Sequence, residues 1–533
     1  MQFSDRGFRK AGRVLVIAGI LVIFGLSFRF SAACLDPRLD SDNAIHVLMS
    51  YDFQLPHDLY YWGQDRLGSI VPMLSHFLMK ILPIQAIISV SIIQFLLLFF
   101  GFICFASLFK ETISRLIFAF AWFLPLRPYQ ALIRIAQPYG PQLAFIGLAA
   151  VLTDRLIEYH TEYSDIKRYG YLTGITSSLF ISLWISDFSI VTIFSFFILG
   201  LVLTYREARS IKQESKLCFH QFKSLIFTWL NIFICSGIGA SLIIFAKNNA
   251  SHHRNYTSFN TFDQVIQILG TQLKLFIESI LFQSNDMWFS IFSLCLLCSL
   301  IYIFYICWII IKRDKSFTNN YLSNPSVWFY IFLSNTIIGY PLLILSQWVY
   351  NDKNVFGPRY FTFIYISVWL TILFFRESLK QRSSNQIACL LLIGAIAGSL
   401  TLPERVYSFQ RVESRYTQLQ SLEAIAPAGF VGNHWESYIL CSADPANLKC
   451  TSYDRQALNL PCLEQPETQE RIGRVRCKRC VDDVFNSPNV YLVKERWFDK
   501  FPNEIQQFGR CLISDGRAFK VNKIELKRYR ERD

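Results

Sequence analysis

Charged residues are scarce in this chain, and acidic residues are scarcer than basic ones. Of its 533 residues, 17% are charged, with 39 Asp and Glu against 52 Lys and Arg, whereas 52% are hydrophobic and 16% are aromatic. A soluble core could not enclose so large an apolar fraction, and the mean hydropathy of +0.31 is outside the soluble range. No repeat of the whole chain is present, which counts against a transporter built from duplicated halves.

The net charge of +13 could suggest a nucleic-acid partner. However, the Lys and Arg residues lie in short clusters between apolar blocks instead of following one face. Membrane orientation explains such clusters better, so we expect a lipid bilayer as the surroundings and no nucleic acid as a partner.

The apolar residues come in blocks of about 17 to 25, the length that a helix needs to cross about 30 Å of hydrocarbon. They predict an all-α polytopic membrane domain with about eleven spans. The third and fourth are short and are separated by Arg127, Pro128, Arg134 and Pro138, which predicts a broken or re-entrant pair. The predicted spans are residues 14–33, 84–109, 114–126, 139–153, 170–186, 188–204, 224–246, 287–311, 327–350, 360–375 and 387–403.

The basic clusters predict the orientation. If the basic start at residues 6–13 is cytoplasmic, every later basic cluster also falls on the inner side. The first long loop and the C-terminal region then lie outside. We therefore expect an integral multi-pass protein of a bacterial inner or plasma membrane, with a cytoplasmic N-terminus. A cleaved signal peptide ending near Ser31-Ala32-Ala33 is the alternative, although the apolar run is long for one.

The composition turns polar after about Leu402, which predicts two domains. Residues 1–403 form the membrane domain, and residues 404–533 form a water-facing extracytoplasmic domain of α/β or β-rich character. Within it, residues 510–514 and 517–526 flank Asp515-Gly516, which predicts a β-hairpin turning at that dipeptide.

Six of the fourteen cysteines lie in this terminal region. On an oxidising side they could form up to three disulfides, whose connectivity the sequence leaves open. The spacing of Cys477 and Cys480 also suits a zinc or redox site, but the second pair that zinc would need is missing. The six are Cys441, Cys450, Cys462, Cys477, Cys480 and Cys511.

The first outer loop, residues 34–83, concentrates acidic residues in an acid-poor protein. Asp36, Asp40 and Asp42 stand together directly after the first span. One interpretation is that Asp40, Ser41 or Asp42 caps an amphipathic helix. The functional interpretation makes Asp42 or Asp40 a general base, and the pair could also hold Mg²⁺ or Mn²⁺ through converging oxygens.

An aromatic and polar segment follows in the same loop, at Tyr60 to Ser69. Its aromatics suit either interfacial anchoring or stacking against a sugar ring. A second amphipathic stretch with Leu67, Val71, Leu74, Leu78 and Ile81 on one stripe comes next, and we expect it to lie at the membrane interface. The candidate contacts to sugar or acceptor are Tyr61, Trp62, Gln64 and Asp65, and Arg66 is a candidate for the donor phosphate.

This layout resembles the GT-C membrane glycosyltransferases, and within them protein O-mannosyltransferases and the aminoarabinose transferase of lipid A. Asp42-Asn43-Ala44 occupies the place of their Asp-Glu-Ala-like first-loop motif. Asn43 stands where the family commonly has Glu, and Asp40 is the neighbouring candidate for the second acid. The resemblance covers nearly the whole chain and implies a helical GT-C-like membrane domain.

A second matching element is Arg359-Tyr360, where an Arg begins a span on the outer side. A guanidinium at headgroup depth can bind a phosphate through two hydrogen bonds, although snorkelling to lipid headgroups would place it there too. Tyr360 and Arg134 are further candidates for contact with the same lipid phosphate.

Together these features predict an inverting transferase that moves a sugar from a polyprenyl-phosphate carrier to a hydroxyl of a glycan, lipid or protein acceptor. A surface-polysaccharide polymerase or ligase is the nearer rival, but it would place its Arg and His in a large central outer loop. A transporter would need ionisable residues within the spans, and these spans have almost none.

Overall fold

The computed structural model describes most of the chain. The described residues are 3–37, 39–158, 165–213, 219–250, 258–312, 326–351, 355–379, 381–408, 413–454, 462, 477–494, 500–521 and 524–532.

Helices dominate the first four hundred residues. After α1 come two short helices of the first loop and then a succession of longer helices, interrupted by 3₁₀ turns at Arg127–Leu132, Asp187–Ser189 and Pro358–Phe361. The helices are α1 Phe3–Ser31, α2 Ser41–Tyr51, α3 Ile70–Ile81, α4 Ala86–Leu108, α5 Thr112–Phe123, α6 Tyr139–Glu158, α7 Asp165–Ile185, α8 Ile190–Gln213, α9 Phe219–Asn248, α10 Phe262–Ile280, α11 Met287–Lys312, α12 Val327–Leu345, α13 Thr362–Glu377 and α14 Gln381–Leu400.

Each of the eleven predicted spans coincides with one of these helices. Within the described residues, nine segments are long and apolar enough to cross a membrane. The two predicted spans outside these nine correspond to α5 and α7. With twelve residues, α5 is only about 18 Å long, too short to cross the hydrocarbon alone, in keeping with the predicted irregularity between residues 114 and 153.

The buried Arg376 ties α5 to the end of α13. Its guanidinium donates to the Ser114 hydroxyl at 2.6 Å and to the Ser384 carbonyl at 3.0 Å, and it also pairs with the Glu111 carboxylate. A charge this deeply buried is tolerated only with such partners. The end of the short helix is thus fixed by hydrogen bonds as well as by apolar packing.

The chain forms two compact units. One contains residues 1–28, 97–240 and 255–409, and the other contains residues 29–96, 241–254 and 410–533. The first-loop helices α2 and α3 therefore belong to the same unit as the C-terminal region. The predicted boundary near residue 404 remains a prediction.

The C-terminal region contains a mixed sheet flanked by short helices, as the predicted α/β character requires. The sheet order is β4-β3-β5-β9-β7-β6, with β8 also paired to β9. Strands β3, β4 and β5 are parallel, and the other pairings are antiparallel. The elements are β3 Ala428–Gly432, β4 Leu448–Ser452, β5 Val490–Val493, β6 Glu504–Gln507, β7 Arg510–Ser514, β8 Phe519–Val521, β9 Ile524–Glu531, α15 Arg415–Leu419, α16 His434–Cys441 and α17 Lys478–Phe485; β1 Tyr350–Asn351 and β2 Val355–Phe356 form a separate hairpin.

Helix α17 packs directly on β3. A Cβ on Gly429 would lie 2.4 Å from the Val484 carbonyl oxygen, so only glycine permits this approach. Val484 then joins Val431, Leu492 and Leu512 in the buried core between helix and sheet.

The predicted hairpin at Asp515-Gly516 is wrong. Strand β7 forms its hairpin with β6, and Gln507 pairs with Arg510 across Phe508-Gly509. Both turn residues have positive φ, 53° and 79°, as a two-residue type I′ turn requires. After Gly516 the chain instead forms β8, which pairs with β9; residues 522 and 523 of the predicted hairpin lie outside the described residues.

All six cysteines of this region are disulfide-bonded. The pairs are Cys441–Cys450, Cys462–Cys511 and Cys477–Cys480. The predicted disulfides are thus confirmed, and the structure supplies the connectivity that the sequence left open.

Candidate functional site in the first loop

Asp40 is the residue that caps α2. Its Oδ1 accepts a hydrogen bond from the Asn43 backbone amide at 2.9 Å, and its own backbone is extended, as expected for an N-cap. The capping interpretation therefore applies to Asp40. Asp42, two residues further on, lies in the first turn of α2 and does not serve as the N-cap.

Asp42 is held by an aromatic residue of the same loop. The Tyr61 hydroxyl donates to Asp42 Oδ1 at 3.1 Å, and the Asp42 carboxyl group is half-buried. A carboxylate at the start of a helix is also stabilised by the helix dipole. Asp42 is thus a positioned acceptor at the edge of α2, and its role as a general base remains a prediction.

His46 lies one helical turn after Asp42, and its side chain is buried. Its Nδ1 is 3.2 Å from the Asp42 carbonyl oxygen, and its ring centroid is 5.2 Å from that of Tyr61. Burial lowers the pKa of His46 to about 4, so the ring is neutral at physiological pH. The neutral imidazole, the Tyr61 hydroxyl and the half-buried Asp42 thus form one small polar group.

The aromatic segment forms a tight loop that orients these side chains. Tyr60 bridges to Gly68, and Gly63 has φ 75°, where only glycine is unstrained. Tyr61 and Trp62 are 2% and 5% exposed, and the Trp62 ring lies 6.5 Å from that of Tyr438 between centroids. Gln64 accepts from Arg66 Nε at 3.2 Å. Direct sugar contacts by Tyr61, Trp62, Gln64 and Asp65, and phosphate binding by Arg66, remain predictions.

Asp58 lies at the centre of a network that sequence reasoning missed. This buried carboxylate accepts from Trp62 Nε1 at 2.8 Å through Oδ1 and from the Gln54 amide at 2.8 Å through Oδ2. Arg479 donates to the same Oδ2 at 2.8 Å, and its guanidinium lies 5.5 Å from the centroid of the Trp62 ring. The acid thereby fixes the aromatic residue that follows Tyr61.

Two further bonds join the first loop to the C-terminal region. The Ser41 hydroxyl donates to the His434 carbonyl at 2.5 Å, and the Arg415 amide donates to the Asp36 carbonyl at 3.2 Å. Groups in such contact cannot lie on opposite faces of about 30 Å of hydrocarbon. The first loop and the C-terminal sheet region therefore face the same side of the membrane.

Arg359 and Tyr360 line a cavity of about 550 Å³ in the other compact unit. Arg359 Nη2 donates to the Tyr360 hydroxyl at 3.2 Å, and the guanidinium lies 5.1 Å from the centroid of that ring. A Cβ on Gly357 would lie 2.9 Å from the Tyr360 ring, so glycine is needed for this packing. The other lining residues are Gln264, Gln347, Trp348, Val349 and Tyr350.

Helix α10, which contributes Gln264 to the lining, lies in a stretch that none of the eleven predicted spans covers. The Thr261–Gln264 capping box begins the helix, and Gln267 accepts from the Tyr350 hydroxyl at 3.1 Å. The opposite face is apolar and exposed, with Phe262 at 78% and Leu273 at 59%. The alternation of glutamines and apolar residues along residues 262–280 was the signal that could have identified it.

Arg134 does not line this cavity. It is half-buried in the segment between the 3₁₀ turn Arg127–Leu132 and α6. That turn packs against the one containing Arg359, with Tyr129 and Tyr365 stacked at 4.5 Å between ring centroids. A phosphate-binding role for Arg134 remains a prediction.

Metal ligands are sparse in the described part of the chain. One group of three potential ligands is found there, formed by Cys462, Glu504 and Cys511. Because Cys462 and Cys511 are disulfide-bonded, their sulfurs are not the thiolates that bind metals. A divalent cation at Asp40 and Asp42 remains a prediction.

No family model and no curated protein matches the chain. Solved structures do. ArnT from Cupriavidus metallidurans bound to undecaprenyl phosphate aligns with TM-score 0.42 and 12% identity over 97% of both chains. Its apo state aligns with TM-score 0.40 and 11% identity, over 83% of this chain and 86% of that one. The archaeal oligosaccharyltransferase AglB from Archaeoglobus fulgidus, in complex with an inhibitory peptide and a dolichol-phosphate, aligns with TM-score 0.38 and 10% identity, over 91% and 70%.

At these identities and TM-scores the alignments assign no role to any residue of this protein. The functional argument therefore depends on this chain's own residues and contacts.

Proposed function

We propose that this protein is a membrane glycosyltransferase that moves a sugar from a polyprenyl-phosphate carrier to an acceptor hydroxyl on the extracytoplasmic side, with inversion. The observation that carries the proposal is the arrangement of the two first-loop acids. Asp40 caps α2, whereas Asp42 accepts from Tyr61 and is not the cap. The three disulfides of the C-terminal region support an oxidising, extracytoplasmic side for it and for the loop in contact with it.

In the proposed reaction, Asp42 takes the proton of the acceptor hydroxyl as its oxygen attacks the anomeric carbon. The bond from that carbon to the carrier phosphate oxygen breaks, and the phosphate leaves with the electron pair. Arg359 is proposed to bind the phosphate with two parallel hydrogen bonds. General base catalysis contributes typically about 10²- to 10⁴-fold, so positioning and charge neutralisation supply the rest.

Asp42→Asn tests the base directly, because it keeps the shape of the side chain and can still accept from Tyr61. We expect transfer from a labelled polyprenyl-phosphate sugar to fall by about 10²-fold or more in a normally folded protein. Asp42→Ala should be equally inactive.

Asp40→Asn is the matched comparison, since Asn and Asp cap helices about equally well. It removes the same charge two residues away and should lose much less activity, unless the pair binds a divalent cation, in which case added Mg²⁺ or Mn²⁺ should restore part of the activity. Near-normal turnover by Asp42→Asn over a range of pH values would end the proposed mechanism, and tracer flux without transfer would favour a transporter.

A further inference from the structure

A second cavity, of about 440 Å³, lies within the compact unit that contains the first loop and the C-terminal region. Its walls come from α3, the start of α4, the segment around α15 and the residues after α16. Its polar lining comprises Tyr51, His76, Lys80, Gln85, Tyr416, Glu423, Ser442 and Asp444. None of these residues belongs to the site around Asp42.

The residues that line the cavity indicate its depth in the membrane. Ile84, Gln85, Ala86 and Ile87 line it, and Ala86 is the first residue of a candidate membrane span. The end of a span lies at the level of the lipid headgroups. The cavity is therefore at the membrane–water interface.

An exposed apolar surface adjoins the cavity. Phe77, Ile81 and Leu82 are 49%, 78% and 47% exposed. They lie next to the lining residues His76 and Lys80 in the sequence. Apolar side chains so exposed at the start of a span are suited to contact acyl chains. The cavity thus combines a polar lining with an apolar margin, as an amphiphile requires.

The charged lining residues have both signs. Lys80 supplies a positive charge. Lys449 places another beside the cavity, because its ammonium group donates to the carbonyl of the lining residue Pro445 at 2.9 Å. Glu423 and Asp444 supply negative charges, and Asp444 is held by the Asn447 amide group at 2.8 Å. Both acids raise the pKa of Tyr416, after the larger effect of burial, so both act on the space around its hydroxyl.

We propose that this cavity binds the headgroup of a zwitterionic membrane phospholipid that carries a primary ammonium, of the phosphatidylethanolamine class. Lys80 pairs with the phosphate, Glu423 and Asp444 accept from the ammonium, and the acyl chains contact Phe77, Ile81 and Leu82. A choline headgroup has no N–H to donate, and an anionic glycerol headgroup would meet two carboxylates. The proposal goes beyond glycosyl transfer and does not depend on it.

The test is native mass spectrometry of the full chain taken from nanodiscs containing equal amounts of phosphatidylethanolamine, phosphatidylcholine and phosphatidylglycerol. We expect phosphatidylethanolamine to be retained over the other two by about two- to fivefold, the range for a partly exposed ion pair. Lys80→Gln should lower retention of all three lipids. The double variant Glu423→Gln with Asp444→Asn should abolish the preference for phosphatidylethanolamine. The side-chain amide oxygen that it leaves at position 444 can still accept from the backbone amides of Ala446 and Asn447.

Lys274→Gln and Glu278→Gln are the matched controls, because these residues form an exposed pair at 3.8 Å on α10. They should keep the preference. Equal retention of the three lipids by the unaltered protein, or an unchanged preference in the double variant, would overturn the proposal. If soluble phosphoethanolamine displaced the bound lipid at the same concentration as phosphatidylethanolamine itself does, the proposal would also be overturned. That result would identify a water-soluble ligand.

A second measurement does not depend on any variant folding. A photoreactive phosphatidylethanolamine should label peptides within residues 76–87 or 416–446 of the unaltered chain. Labelling confined to other peptides would refute the assignment.

Discussion

Arg479 and Asp58, 421 positions apart in the sequence, form an ion pair at 2.8 Å in which the Asp58 side chain is 4% exposed. Arg479 also donates to the Asp52 carbonyl at 2.5 Å. It stands between the two cysteines of the Cys477–Cys480 disulfide, at the start of α17. The C-terminal region therefore contacts the first loop at Asp58, which also accepts a hydrogen bond from the Trp62 indole.

Arg479→Met should loosen the first loop, because Asp58 would remain buried without its cationic partner. Removing one partner of a fully buried pair costs about 3 to 5 kcal/mol. Arg479 is a quarter exposed, so we expect a smaller loss, about 1 to 3 kcal/mol. Hydrogen exchange of amides 54–62 should accelerate, and this can be measured by mass spectrometry.

Arg528→Met is the control for that variant. Arg528 pairs with Asp515 at 3.5 Å, and both side chains are nearly half exposed, so the loss should be under about 1 kcal/mol. Equal effects of the two variants on first-loop exchange would contradict a positioning role for Arg479.

His46 predicts a pH dependence of stability. Its pKa falls from 6.5 to about 4 on folding because the ring is buried, so the unfolded chain binds the extra proton more readily. Its contribution is complete above pH 6.5 and is lost as the pH falls toward 4, by up to about 1.4 kcal/mol per pH unit.

Thermal unfolding followed between pH 7.5 and 4.5 measures this slope. His46→Gln should flatten it. An identical slope in His46→Gln would show that other groups determine it.

The sequence allowed the helices to be predicted because hydrocarbon thickness sets their length, and all eleven predicted segments are helical. The N-cap of α2 was also among the predicted alternatives. By contrast, the Arg479–Asp58 pair could not be predicted, because no local pattern relates residues so distant in sequence. The hairpin prediction failed because Asp515-Gly516 is the stronger local turn signal, whereas strand pairing selected Phe508-Gly509.

Two of the three disulfides should contribute unequally to stability. Cys462–Cys511 spans 49 positions and Cys441–Cys450 spans nine, and a longer loop loses more entropy when closed in the unfolded chain. That model gives about 4 kcal/mol for the first pair and about 2.7 kcal/mol for the second. Denaturant unfolding of the paired Cys→Ser variants measures both, and the reverse order would contradict the entropic account.

A divalent cation at Asp40 and Asp42 predicts that Mg²⁺ or Mn²⁺ stabilises the protein. A ligand at 100 times its Kd adds about 2.7 kcal/mol, which is seen as a rise in the unfolding temperature. Asp40→Asn should weaken the response, and a higher Mn²⁺ concentration should restore it in part. No rise with either ion in the unaltered protein would leave Asp40 as the helix cap alone.

Variants of Arg359 distinguish binding of the carrier phosphate from snorkelling to lipid headgroups. The lipid-phosphate interpretation predicts that Arg359→Ala raises KM for the polyprenyl-phosphate donor by about tenfold or more, since a hydrogen bond to a charged group contributes about 1.5 to 3 kcal/mol. The donor KM of Arg359→Lys should fall between those of the unaltered protein and Arg359→Ala. Lysine keeps the charge but loses the planar fork that binds two phosphate oxygens. The KM for the acceptor should not change.

Two further variants bound the interpretation of the Arg359 variants. Tyr360→Phe removes the hydroxyl that accepts from Arg359 at 3.2 Å and keeps the ring beneath the guanidinium, so a rise in the donor KM of this variant would assign the hydroxyl to phosphate binding as well. Arg155→Ala removes an exposed arginine paired with Glu158 at 3.3 Å and should have no effect on it. A snorkelling arginine contacts headgroups without distinguishing the donor. An unchanged donor KM in both Arg359→Ala and Arg359→Lys would therefore establish Arg359 as a membrane anchor, and the carrier phosphate would need another cation.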